Sequence, residues 1–96
     1  MDTSEKSRSL PEEKRAELRK IAYALSPTVQ IGKSGFTPAV ISEIKRQLMQ
    51  KKLVKIKLLK GLLDTMPKKE AVDLLIQLTD AELVHKVGFV VVLYKR

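Results

Sequence analysis

The stretch Ile31-Gly32-Lys33-Ser34-Gly35-Phe36-Thr37-Pro38 decides the fold, because a strand is predicted to end where it begins and a helix to begin where it ends. Glycines lack a Cβ, so the backbone between Gly32 and Gly35 can adopt positive φ and approach a ligand closely. Thr37 is a predicted N-cap and Pro38 a predicted first helical residue. The unpaired N–H groups and dipole of that helix suit an anion. The stretch predicts a phosphate-binding turn, although Gly-x-x-Gly before a capped helix is more often a plain connection.

Composition limits the classes of protein to consider. The chain has 96 residues, 44% of them hydrophobic, which predicts one domain with a small core. It has no cysteine and one histidine, so disulfides and thiolate metal ligands are excluded and we expect no metal site and no cofactor. No apolar run approaches the roughly 20 residues of a membrane span, and the polar first nine residues do not match a signal peptide. We expect a cytoplasmic protein without a membrane partner.

The charge is strongly basic and unevenly distributed. The net charge is +8 and only 4% of residues are aromatic, which favours a polyanion held through its backbone. Between Thr28 and Lys60, Glu43 is the only acidic residue, against eight basic ones: Lys33, Lys45, Arg46, Lys51, Lys52, Lys55, Lys57 and Lys60. From Gly61 to Glu82 acidic residues outnumber lysines, which predicts a basic side and a mildly acidic side.

The first third of the chain predicts a tail and one helix. Residues 1–8 are too polar to fold and are expected to be flexible, leaving residues 9–96 as the domain. A helix is predicted over roughly Pro11 to Ala24, with a Ser9–Glu12 capping box and Pro11 in its first turn. The apolar residues of this region repeat at helical spacing: Leu18, Ile21, Ala22 and Leu25. The basic residues of the other face fit a solvated surface or a ligand contact equally well: Lys14, Arg15, Arg19 and Lys20.

The middle of the chain predicts two strands around a second helix. Pro27 ends the first helix, and residues 28–31 form a short strand. The second helix runs roughly from Pro38 to Gln50, with Lys45, Arg46 and Lys52 expected on its polar side and an apolar stripe of Val40, Ile41, Ile44 and Leu48. From Leu53 to Leu59 the apolar period becomes two, so Lys55 and Lys57 should occupy one face of a strand and Val54, Ile56 and Leu58 the other.

The last third predicts a loop, a helix and a hairpin. Residues 61–65 are predicted to be a loop, and Pro67 to open a third helix with Ala71, Leu74, Leu75 and Leu78 on one face. Two strands rich in β-branched residues meet at Gly88, with His85 on the surface. The predicted order is α-β-α-β-α-β-β. We therefore expect an α/β domain with a four-stranded mixed sheet.

Two separated groups of residues resemble a known family. The first comprises Leu18-Arg-Lys-Ile-Ala22, Pro27, Val29-Gln-Ile-Gly-Lys-Ser-Gly35, Thr37, Ile44 and Val54-Lys-Ile-Lys57; the second is Gly88 followed by Leu93-Tyr-Lys95. Together they resemble the CRM domain (chloroplast RNA splicing and ribosome maturation), in particular its free-standing prokaryotic YhbY-like members.

This resemblance implies an RNA-binding domain with the fold of the C-terminal domain of bacterial translation initiation factor three, associated with precursors of the large ribosomal subunit. Two positions depart from the family: Ser34 stands where asparagine is common, and Lys95 where arginine is common. Serine lacks the side-chain amide of asparagine, and lysine lacks the planar guanidinium with which arginine makes two parallel hydrogen bonds.

The residues themselves also point to RNA. KH modules clamp nucleotide backbone with a Gly-x-x-Gly turn, whereas the few aromatic residues argue against stacking as the dominant mode. Tyr94 beside Lys95 is a candidate contact, although a tyrosine at a strand end more often packs at the sheet edge. The predicted RNA-binding residues are Gly32, Lys33, Ser34, Gly35, Lys45, Arg46, Lys52, Lys55, Lys57, Tyr94 and Lys95.

Three other functions have some support in the sequence. Gly32-Lys33-Ser34 matches the end of a P-loop, but Pro27 occupies the position of that motif's first glycine, so we expect no nucleotide hydrolysis and no enzyme activity on a small-molecule substrate. A general nucleic-acid-binding protein is compatible with the composition, because phosphate contacts do not depend on sequence. A protein-interaction module on the ribosome, using the acidic third helix, is the third alternative. We expect a monomer.

Overall fold

The computed structural model of the protein describes residues 10–95. The predicted tail, residues 1–8, and Ser9 of the predicted capping box lie outside the described residues. The helices are α1 (Glu12–Tyr23), α2 (Pro38–Lys51), α3 (Lys60–Leu63) and α4 (Lys68–Thr79). The strands are β1 (Val29–Ile31), β2 (Leu53–Leu58), β3 (Glu82–Val87) and β4 (Val90–Tyr94).

The four strands form one mixed sheet in the order β1-β2-β4-β3. β1 pairs with β2 in parallel and places Ile31 opposite Leu58. β4 is antiparallel to both β2 and β3, and Val90 lies opposite Lys57. The chain therefore leaves β1, leaves β2 and enters β4 at the same end of the sheet, which we call the turn end. The opposite end, where Leu53 pairs with Tyr94, is the far end. The predicted α/β class and four-stranded mixed sheet are confirmed.

The main core lies between the sheet and the pair α2 and α4. Its centre is made of side chains with no exposed surface, from three strands and two helices: Ile31, Ile56, Leu93, Ile44, Leu48 and Leu75. The period-two prediction for β2 is confirmed, since Val54, Ile56 and Leu58 are all buried on this side. The predicted stripe of α2 is confirmed as well.

α2 begins as the sequence predicts. Pro38 occupies its first turn, and the Thr37 hydroxyl accepts a hydrogen bond from the Val40 N–H at 3.2 Å. This side chain satisfies one of the donors that a helix start leaves unpaired. The helix ends one residue later than predicted. Lys52 caps it in a left-handed conformation, with φ of 69°, so the prediction that Lys52 lies on the helical surface was wrong.

A second, smaller cluster lies under α1 on the opposite face of the sheet: Leu10, Leu18, Ala22, Leu53, Val84 and Val92. Pro11 is the N-cap instead of a first-turn residue, and no side chain caps this helix start. Ile21 and Leu25 are exposed, at 49% and 41%, so their predicted burial was wrong. Leu25 lies beyond the helix end, and Ile21 flanks the narrow stripe by which α1 contacts the sheet.

Lys55 has a structural contact that the alternating pattern did not reveal. Lys55 and Lys57 lie on the same face of β2, as predicted, and α1 packs on that face. Lys55 is half-buried there, whereas Lys57 is exposed. The Lys55 Nζ donates to the Ala22 and Leu25 carbonyl oxygens, both at 2.9 Å. An ammonium at a helix C-terminus satisfies unpaired carbonyls and interacts favourably with the helix dipole. Lys55 therefore fastens the end of α1 to the sheet.

The segment after β2 differs most from prediction. Residues 60–63 form the short helix α3 where a loop was predicted, because Leu62 inserts completely into the main core. Pro67 is the N-cap of α4, so this helix begins where expected. Its buried stripe is Ala71, Val72, Leu75 and Thr79. Leu78 is 41% exposed, so its predicted core position was wrong.

The final hairpin is confirmed. β3 and β4 are antiparallel and joined through Gly88, whose φ of 56° favours glycine. A register shift between Leu83 and His85 marks an irregularity in β3. None of the helices within residues 10–95 is long and apolar enough to cross a membrane.

Lys55 and Lys57 provide a matched pair for testing the contact with α1. Lys55→Met removes two hydrogen bonds from a charged donor, and we expect it to reduce the free energy of unfolding by about 1 to 3 kcal/mol. Lys57→Met changes an exposed residue on the same face and should alter it by no more than about 0.5 kcal/mol. Urea denaturation of both variants measures the difference. Equal losses would show that the bonds from Lys55 do not stabilise the fold.

Candidate nucleic-acid interface

The Gly-x-x-Gly segment forms a four-residue turn at the turn end of the sheet. The Gly35 N–H donates to the Gly32 carbonyl oxygen at 2.9 Å, which places Lys33 and Ser34 at the tip with both side chains exposed. Gly35 has a φ of 74°, in the positive range that glycine permits at this turn. A Cβ built on Gly35 would contact nothing within 4 Å. Glycine is therefore favoured there by backbone conformation and not by crowding.

The turn is supported from below by the segment that follows β2. The Leu59 N–H donates to the Ile31 carbonyl oxygen at 2.9 Å and continues the pairing of the two strands. A Cβ built on Gly61 would lie 3.1 Å from the Lys33 backbone nitrogen and 3.2 Å from its Cβ, closer than most such contacts in proteins. Since Gly61 has no side chain, α3 can pack directly against the backbone of the turn.

This role of Gly61 was not predicted from the sequence, because residues 61–65 were expected to be a loop. A four-residue helix is too short to show helical periodicity. The available signal was a glycine three residues beyond a strand that ends beside the turn. Such a glycine can mark a close backbone approach.

Exposed cations lie near the turn. Lys33 is at its tip, and Lys57, the last lysine of β2, makes no side-chain hydrogen bond or ion pair with any residue of the described chain. Lys60 begins α3, and its one ion-pair partner among residues 10–95 is Asp64, at 3.3 Å and on an open surface. Exposed pairs of this kind contribute little energy, so Lys60 can exchange its partner for an external anion at low cost.

Arg46 is less available than the sequence suggested. Its guanidinium donates to both Glu43 carboxylate oxygens, at 2.6 Å and 3.1 Å, and to Gln50. The hydrogen bonds from Arg46, and then from Gln47, lower the pKa of Glu43 to about 2. Glu43 therefore stays ionised near neutral pH and compensates the charge of Arg46.

Four other predicted contact residues lie at the far end. Lys95 follows β4, and its Nζ donates to the Asp80 carbonyl at 3.1 Å and carboxylate at 3.2 Å. Lys45 lines a pocket together with Asp80 and Lys95. The Lys52 carbonyl accepts from the Lys95 N–H. Tyr94 packs against the cluster under α1, and its ring centroid is 5.8 Å from the Lys14 Nζ.

The structure thus divides the predicted site into two groups. Gly32, Lys33, Ser34, Gly35 and Lys57 lie together at the turn end. Two further predicted contact residues do not flank the turn, since Lys45 lies at the far end and Lys55 is under α1. The two ends of β2 are about 16 Å apart, at roughly 3.3 Å per residue over a strand of six. A ligand held at the turn would have to extend along the whole length of β2 to reach the second group as well.

Comparisons with known proteins agree with this architecture. Residues 10–95 match the model of the CRS1 / YhbY (CRM) domain. A probable RNA-binding protein of Methanocaldococcus jannaschii is 38% identical over 93 residues, covering 97% of this chain and 69% of the relative. An RNA-binding protein of Haemophilus influenzae is 31% identical over 78 residues, covering 81% of this chain and 77% of the relative.

A solved structure has the same fold. The solution structure of a hypothetical Staphylococcus aureus protein, described as a candidate RNA-binding protein, superposes with a TM-score of 0.74 at 32% identity. The superposition covers 91% of this chain and 88% of the Staphylococcus aureus chain. The matched family model spans the whole sheet and its helices. The chain belongs to the CRS1/YhbY (CRM) domain family, as its sequence resemblance predicted.

The contact between Gly61 and the turn predicts an effect of Gly61→Ala. The added methyl group should displace the backbone of Lys33 by a few tenths of an ångström and shift the amide resonances of residues 32–35 in a ¹H–¹⁵N spectrum. The free energy of unfolding should change by less than about 1 kcal/mol, because alanine also favours the helix. Lys60→Ala, one residue earlier, is the control and should leave Ser34 and Gly35 in place. Unchanged turn resonances in Gly61→Ala would contradict the contact.

Proposed function

We propose that this protein is a non-catalytic RNA-binding factor that holds the sugar-phosphate backbone at the turn end of its sheet. The observation that carries the proposal is the exposed tip of the Gly-x-x-Gly turn, supported by α3 and placed directly before α2. Membership of the CRM family and the RNA-binding names of its relatives support the choice of RNA.

The turn offers three kinds of group to a phosphate. Lys33 supplies a flexible ammonium, Ser34 supplies a hydroxyl donor, and the turn backbone supplies N–H groups. Charge-assisted hydrogen bonds of this kind are the stronger ones in proteins. The nearby start of α2 adds the positive end of a helix dipole. KH modules use a Gly-x-x-Gly turn on nucleotide backbone in a comparable way.

The proposed RNA is ribosomal, in precursors of the large subunit, with the protein acting in the cytoplasm during ribosome assembly as a monomer. The resemblance of the sequence to free-standing YhbY-like proteins supports this assignment. The net charge of +8 is compatible with a partner as densely charged as a ribosomal precursor. Crosslinking in cells followed by RNA sequencing tests it: enrichment of large-subunit precursor RNA is expected, and enrichment of unrelated RNA would overturn it.

The double substitution Lys33→Ala, Ser34→Ala tests the turn as the phosphate site. It removes one charge and one hydroxyl while both glycines keep the backbone unchanged. RNA affinity should fall by about 1 to 3 kcal/mol, the scale of hydrogen bonds to charged groups, with an unchanged melting temperature. Fluorescence anisotropy at fixed salt measures the affinity.

Lys69→Ala is the matched control for that substitution. It removes the same charge from the exposed surface of α4, where Lys69 pairs with Asp73 at 3.2 Å. Its RNA affinity should stay near that of the unmodified protein. If the double variant binds as tightly as the control, the turn is a plain connection between strand and helix.

The salt dependence of affinity tests the electrostatic character of binding. The logarithm of the association constant should fall with the logarithm of salt concentration by about 0.7 to 0.9 for each phosphate neutralised. Competition by duplex DNA at matched salt distinguishes an RNA-binding protein from a general nucleic-acid-binding one. A flat salt response would contradict electrostatic binding, and equal competition by DNA would favour the general function.

A further inference from the structure

Phe89 is an exposed aromatic residue fixed at the turn end. It follows Gly88 in the turn between β3 and β4, and 58% of its surface is exposed. It belongs to neither of the two hydrophobic clusters of the described chain. Its carbonyl oxygen accepts a hydrogen bond from the Leu58 N–H at 2.7 Å, which ties the hairpin tip to the end of β2. An exposed ring on a well-anchored backbone is available to a ligand.

The position of Phe89 relative to the Gly-x-x-Gly turn follows from the sheet. β1, β2 and β4 are consecutive neighbours, and Ile31, Leu58 and Phe89 mark their ends on this side. Two strand spacings separate β1 from β4, or about 10 Å. A stacked nucleic-acid strand rises about 3.4 Å per nucleotide, so roughly three nucleotides cover this distance. An RNA backbone held at the turn can bring one of its bases to Phe89.

The charges around Phe89 favour a nucleic acid over an apolar protein surface. Lys57 lies opposite Val90, the residue after Phe89, and Lys86 lies on the other strand of the hairpin opposite Val91. Both lysines are exposed. The acidic residue of β3, Glu82, is at the far end, opposite Tyr94. An aromatic face among cations matches a base joined to phosphates.

We propose that the RNA segment bound at the turn end is unpaired and that one of its bases stacks on Phe89. This inference rests on the proposed function. A ring at the surface can stack only on a base whose own face is free, whereas bases inside an A-form duplex are covered by their neighbours. Phe89 therefore makes the protein select a loop or single strand near the nucleotides held by Lys33 and Ser34. The low aromatic content argues against stacking as the dominant mode of binding, but one well-placed ring is enough for one base.

The test compares two RNA probes and three variants of the whole protein. The probes are a fluorescein-labelled RNA strand of mixed sequence without self-complementarity and the same strand annealed to its complement. The variants are Phe89→Ala, Phe89→Leu and Phe89→Trp, and each is checked for an unchanged melting temperature. Since the chain has no tryptophan, Phe89→Trp also places a single tryptophan fluorophore at the proposed contact.

Stacking predicts a specific pattern of affinities. Phe89→Ala should weaken single-strand binding by roughly 5- to 100-fold, the range of base–aromatic stacking, and leave duplex binding unchanged. Phe89→Leu should be equally weak, because it retains an apolar side chain without a π face. Phe89→Trp should bind at least as tightly as the unmodified protein, and the single strand should quench its fluorescence.

Several results would overturn the inference. Full single-strand affinity in Phe89→Ala, together with a loss in the Lys33→Ala, Ser34→Ala protein, would remove Phe89 from the site and leave the proposed function intact. Full affinity in Phe89→Leu would show an apolar contact instead of stacking. An equal loss on single strand and duplex would show that Phe89 does not select unpaired RNA. If the unmodified protein bound neither probe, the proposed function would fail and this inference with it.

Discussion

The parallel pairing of β1 with β2 is the constraint on which the rest of the structure depends. β1 has three residues and cannot persist alone, so it relies on its register with β2 and on the burial of Val29 and Ile31 in the main core. Parallel strands end on the same side of a sheet. The Gly-x-x-Gly turn and α3, which are distant in sequence, consequently become neighbours. The absence of a side chain at Gly61 then allows them to touch.

A count of basic residues overstates the surface that a polyanion can use. Lys55 holds the end of α1, Arg46 is bound by Glu43, and Lys95 is bound to Asp80. Each of these contacts would have to be broken or shared before the cation could serve a ligand. Lys33 and Lys57 have no such partner among residues 10–95. The exposed Lys45 and Lys52 at the far end also have none. Positive charge is therefore available at both ends of the sheet, and the Gly-x-x-Gly turn distinguishes the turn end.

The sequence predicted what depends on local chemistry. The N-cap at Thr37, the turn and the two faces of β2 follow from residue type and a period of two, and all are present. The four-stranded mixed sheet followed from the order of elements. Contacts set by tertiary packing were not predictable. The alternation in β2 does not tell whether a helix covers the face that carries Lys55. The four residues of α3 are too few to show a helical period. The direction of β4, which is antiparallel to β2 and so places Tyr94 and Lys95 at the far end, is also absent from any local pattern.

The most direct test of the account follows backbone amide resonances of the ¹⁵N-labelled protein during titration with single-stranded RNA. If RNA binds at the turn end, the largest shifts should occur at residues 32–35 and at 59–61, with Phe89 among the residues affected. The amides at the far end, such as those of Lys52 and Lys95, should move little. Shifts concentrated at the far end or along α4, with residues 32–35 unchanged, would contradict the account.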